Sequence, residues 1–113
     1  MKNKNWHEEN DRKPVPRKDG QNRKQILETA EQYINGPRAH DYGSARDNFT
    51  RIGAMWSNIL QMGKLITPEQ VALMMVAIKI SRLAENPDHL DSWIDIAGYA
   101  ALGGEVATTD ADL

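Results

Sequence analysis

The sequence predicts an all-α fold, a four-helix, bundle-like domain around a central antiparallel helical hairpin. Three observations carry this expectation. Apolar residues recur at spacings of three and four through four separate stretches. Glycine or proline interrupts the chain between them, at Gly36-Pro37, Gly63 and Asn86-Pro87. The last two stretches are apolar almost all round, as helices enclosed by other helices are.

The length of 113 residues allows one small domain, and 40% hydrophobic residues suffice for a core. A net charge of -2 provides no field that would draw the chain to nucleic acid or an anionic membrane. The absence of cysteine excludes disulfides and thiolate metal sites. No apolar run suits a signal peptide or spans a bilayer, so a cytoplasmic protein is expected.

Residues 1–21 contain Trp6 and Val15 as their only large apolar side chains, two prolines and ten charged residues. They cannot offset the entropy of ordering and are expected to form a disordered tail, with Trp6 available to dock on a neighbour. Six basic residues against four acidic ones make a weak nucleic-acid arm. The helical domain is expected over 22–104, followed by a flexible acidic C-terminus over 105–113.

Asn22 can cap the first helix, whose apolar face is Ile26, Leu27, Ala30, Tyr33 and Ile34, and Gly36-Pro37 ends it. The segment Arg38-Ala39-His40-Asp41-Tyr42-Gly43 has no helical period. It is either a polar site loop or a turn in which Asp41 caps a helix and Tyr42 packs sideways. Ser44 and Asp47 mark the second helix, with Phe49, Ile52, Met55 or Trp56, Ile59 and Leu60 facing the core and Gly63 closing it. Asn48 lies beside that stripe, near the Asp41-Tyr42-Gly43 loop.

Thr67-Pro68-Glu69-Gln70 is the clearest helix start in the chain, combining a cap, a first-turn proline and a capping-box glutamine. The third helix then runs to Asn86-Pro87, and the fourth starts between Asp88 and Asp91 and ends at Gly103-Gly104. So much apolar surface on so small a chain predicts self-association as a dimer or larger homo-oligomer.

The hairpin carries charges that need partners. With its turn near Pro87, Lys79 falls level with Asp95 and Arg82 level with Asp91 or Ser92, each set on one helical face. Two interpretations follow. Either these are partly buried salt bridges that set the register, or they line a polar pocket. In such a pocket Lys79 and Arg82 meet phosphate or carboxylate oxygens, while Asp91 and Asp95 hold a metal or accept hydrogen bonds from a base or ribose. Trp56, Trp93 and Tyr99 are candidate stacking surfaces. An all-helical Mg²⁺-dependent hydrolase needs several carboxylates from two or more helices. Here the third helix offers none between Glu69 and Glu85, and the three histidines, His7, His40 and His89, form no zinc spacing.

Asp41-Tyr42-Gly43, Asn48-Phe49, Trp56, Val71-Ala72-Leu73-Met74-Met75 leading to Lys79 and Arg82, and the run Asp91-Ser92-Trp93-Ile94-Asp95-Ile96-Ala97-Gly98-Tyr99-Ala100 together resemble a small bacteriophage domain of unknown function. The resemblance covers the chain from about Arg23 to Leu102. More remotely, the same order is similar to the nucleotide modification associated domain of phage base-modification operons. The closing helix is similar to that of MazG-like nucleotide pyrophosphohydrolases, from which Asp95 and Tyr99 are the transferable positions. The paired glutamates of those enzymes are replaced here by Lys79 and Arg82.

The resemblance therefore implies that a phage-type protein, placed in the host cytoplasm, recognises a nucleotide or nucleotide-derived molecule. Its role would be in nucleotide metabolism or in sequestering a nucleotide signal of host defence. The expected site is Asp41, Tyr42, Asn48, Lys79, Arg82, Asp91, Asp95 and Tyr99, with Asp91 and Asp95 as metal ligands and Mg²⁺ as cofactor if the protein is an enzyme. Two alternatives stand beside it: a MazG-like pyrophosphohydrolase, and a structural or interaction protein with no small-molecule ligand.

Overall fold

The computed structural model describes residues 19–41 and 43–110. The expected N-terminal tail, with Trp6, lies almost wholly outside them. The described residues form four long helices and one short one, with no strand among them: α1 (Arg23–Asn35), α2 (Pro37–His40), α3 (Ala45–Ile59), α4 (Pro68–Glu85) and α5 (Leu90–Thr108).

The helix starts follow their caps. Asn22 and Gln25 form a reciprocal capping box at α1, and Thr67 and Gln70 form another at α4. The Ser44 hydroxyl accepts from the Asp47 amide at 3.1 Å to open α3. Each satisfies amides that have no partner within the helix.

Helix ends depart from expectation at three places. Arg38, Ala39 and His40, from the segment expected to have no helical period, join Pro37 in the single turn α2, because Pro37 presets the helical φ at its first position. α3 closes before Gly63, by a left-handed Gln61 (φ 53°) whose amide donates to the Asn58 carbonyl while the Met62 amide donates to that of Ser57. α5 continues through Gly103-Gly104 to Thr108, so residues 105–108, expected to be flexible, are helical. Val106 is buried there, and the Arg46 guanidinium donates to the carbonyls of Val106 (2.9 Å) and Thr109 (2.6 Å). Tertiary contact at the far end of α5 outweighs the small helix penalty of two glycines.

α4 and α5 share the most extensive helix contact, α1 packs on α5, and α3 packs on α4. The core joins Phe49, Ile66, Val71 and Ala72, with Ile52, Trp56, Met75, Tyr99 and Leu102 packed against it. Trp56, not Met55, faces the core, and Leu27, expected on the buried face of α1, is 62% exposed. Gly53 is buried where α3 meets α4: a Cβ there would strike the Ile66 carbonyl oxygen. Gly103 has the same role between α4 and α5, where a Cβ would stand 2.8 Å from that of Ala72. No helix among the described residues is long and apolar enough to cross a membrane.

Candidate functional site

A cavity of about 430 Å³ opens between α1, α3, α4 and α5, within the size range of small-molecule sites. Phe49 and Ile52 of α3, Met75 of α4 and Leu102 of α5 give it apolar walls, and Tyr33 and Ile34 of α1 close one side. Gly43, just before α3, and Ala45, its first residue, enter as well. Gly43 has φ 72°, which turns the chain into α3 at low cost only because it lacks a Cβ.

Polar groups share the lining. Lys79 Nζ lies 3.1 Å from Asp95 Oδ2, with the two side chains 17% and 21% exposed. Both residues line the cavity, along with Asn48 and Tyr99. The pair places a donor and an acceptor side by side on an apolar wall. An ammonium has three donors and a carboxylate about four lone-pair positions, so their mutual contact leaves capacity for a ligand. The Phe49 and Tyr99 rings stand 6.3 Å apart, tilted by 36°.

Of the site residues expected from the sequence, Asn48, Lys79, Asp95 and Tyr99 line one cavity. Asp41 and Arg82 are exposed and do not line it. Tyr42 lies outside the described residues. The expected Arg82–Asp91 level does not form: Asp91 Oδ1 instead accepts from the Tyr33 hydroxyl at 3.1 Å. The physical reason is that α1 packs over the start of α5 and brings a phenol to Asp91, while Arg82 is free to extend into water. Among the described residues no three His, Asp or Glu side chains converge as a metal site, and Asp91 and Asp95 are engaged by Tyr33 and Lys79.

By its period Tyr33 belongs to the apolar face of α1, and it is not among the site residues expected from the sequence. Only the packing of α1 on α5 shows that it both lines the cavity and holds Asp91. The signal available beforehand was a phenol on an otherwise apolar face, where a buried hydroxyl needs a partner.

These features define a small all-helical domain with a largely covered ion pair on the wall of an open cavity lined by both apolar and polar groups. The chain belongs to the family described as Domain of unknown function (DUF6378), whose sequence model matches residues 25–107. It is similar to the Gene 55 protein of Mycobacterium phage L5, with 51% identity over 77 residues, 68% of this chain and 49% of that one. It is also similar to the Gene 55 protein of Mycobacterium phage D29, with 41% identity over 75 residues, 66% of this chain and 48% of that one. The chain thus spans about half the length of these curated relatives. No solved structure matches it. The resemblance to a small phage domain of unknown function is in keeping with these relatives.

Proposed function

We propose that this domain binds a nucleotide or nucleotide-derived molecule in the cavity between α1, α3, α4 and α5. The observation that carries it is the Lys79–Asp95 pair, held at 3.1 Å on the wall of a cavity instead of being sealed between helices. A pair kept only for register would sit without adjoining space. A ligand edge that bears a neighbouring acceptor and donor, as a nucleobase does, can engage the ammonium and the carboxylate together. The apolar walls and the Phe49 and Tyr99 rings then cover its faces.

Arg82 and the exposed Asp41 are spaced away from that wall and are assigned at most to the solvent-facing part of a ligand. The α4–α5 unit is read as the antiparallel hairpin that presents the pair. This is supported by the contacts of Lys79 with Asp95 and of Ala72 with Gly103, in which rising numbers on one helix meet falling numbers on the other. Binding is preferred to hydrolysis because α4 presents a lysine where metal-dependent hydrolysis needs carboxylates.

The test is a thermal-shift series with nucleoside mono-, di- and triphosphates and cyclic dinucleotides, each with and without Mg²⁺. Some member of the panel is expected to raise Tm, and Asp95→Asn or Lys79→Met is expected to abolish the rise. If no member shifts Tm, or if both variants respond as the parent chain does, the cavity is not a nucleotide site and the pair is a helix-register device. Release of pyrophosphate from a triphosphate in the same mixtures would replace binding with the hydrolytic alternative.

A further inference from the structure

The α4–α5 pair has an apolar side that neither α1 nor α3 covers. On α4, Val71 faces α3 while Ala72 and Lys79 face α5, which leaves the arc of Leu73, Ala77 and Ile80 uncovered. On α5, Asp91 and Gly98 face α1 while Asp95 and Gly103 face α4, which leaves the arc of Trp93, Ala100 and Gly104. Followed at about 100° per residue, both arcs fall on the same side of the α4–α5 pair, away from α1 and α3. Leu73 is 67% exposed there, Ile80 55% and Trp93 50%.

We infer that this back face of α4 and α5 is the interface of a homodimer, in which a second copy of the chain packs its own α4–α5 face against it. Three properties commit it to a second copy. The first is shape: α4 presents large side chains at Leu73 and Ile80, while the adjacent row on α5, beyond Trp93 at its start, is small at Ala100, Gly104 and Ala107. A face that carries both a ridge and a trough can pack on a copy of itself when a two-fold rotation sets the ridge of each copy into the trough of the other.

The second property is charge. Between Val71 and Ser81 the only charged residue of α4 is Lys79, which turns to Asp95, and between Asp95 and Glu105 α5 has none. Two identical copies therefore meet without like-charge repulsion, and a charged partner such as nucleic acid finds nothing to match. The third is area: two helices of about 10 Å diameter, with α4 18 residues long at about 1.5 Å per residue, make a face of roughly 27 by 20 Å. That is about 540 Å² in projection, at the top of the roughly 300–600 Å² apolar patch of a typical monomer and two thirds of the roughly 800 Å² per partner of a standard interface, and the accessible surface of a face studded with side chains exceeds its projection.

The test is the mass of the full chain in solution by light scattering at micromolar concentration. The parent chain is expected at the mass of two chains. Leu73→Lys or Ile80→Lys is expected to bring it to the mass of one with the helical spectrum retained, and Ile59→Lys on α3 to leave it dimeric. A parent chain with the mass of one, or a dimer that survives both lysine substitutions, overturns the inference.

A second measurement does not depend on the lysine variants folding. The chain has no cysteine, so Ala77→Cys and Glu28→Cys each introduce a single thiol. A short bis-maleimide is expected to join two copies through position 77 and not through position 28. Failure to join through 77, or equal joining through 28, also overturns it.

Discussion

Ser57 joins α3 to the start of α4 through one hydroxyl. Its Oγ donates to the Gly53 carbonyl and accepts from the Ile66 amide, both at 2.7 Å and both buried. Ile66 lies just before the Thr67 cap, so this bond fixes where α4 begins. Ser57→Ala keeps the volume nearly constant and leaves the Ile66 amide buried without a partner. It should cost about 1–3 kcal/mol, read as a lower urea midpoint with an unchanged slope. A loss within the measurement error would show that the amide finds another acceptor. From the sequence a serine on α3 was unremarkable, because nothing local distinguishes it from a solvent-facing one. The Lys79–Asp95 contact was legible, since complementary charges at equal distances from Asn86-Pro87 are a property of the chain itself.

At the scale of the element, α3 stops by a mechanism its sequence disguises. Gln61 occupies the left-handed position that closes the helix (φ 53°), a place glycine takes without steric cost. Gly63, two residues later, was the expected terminator. Gln61→Gly should therefore stabilise the chain by about 0.5–1 kcal/mol, the relief of strain being partly offset by a more flexible unfolded state. The measurement is the thermal midpoint, and a fall in it would mean that the Gln61 side chain makes a contact worth more than the strain. α5 shows the converse case. Its glycine pair is a local stop signal that the helix passes through, because Arg46 from α3 supplies donors to the carbonyls of Val106 and Thr109.

At the scale of the whole molecule, the cavity and the back face lie on opposite sides of the same helix pair. The site is formed where α1 and α3 cross α4 and α5, and the uncovered side is the one they leave. If two copies share that side, folding and association are linked, and Tm should rise with protein concentration. A scan over a hundredfold range of concentration tests this, and a constant Tm would separate folding from association. The same pairing would brace the helices that hold Lys79 and Asp95 without adding a residue to the cavity.

The sequence by itself determined the four long helices, the caps of α1, α3 and α4, and the level at which Lys79 meets Asp95. These depend on local periodicity, on side-chain to backbone bonds three residues apart, and on distance from a turn. Only the tertiary structure decided that Tyr33 would take Asp91 while Arg82 stayed in water, that α5 would outlast Gly103-Gly104, and that Asn48 and Tyr99 would share a cavity with the ion pair. Each of those outcomes depends on which helix crosses which, and a contact between residues 33 and 91 or 46 and 106 leaves no trace in the local pattern of either partner.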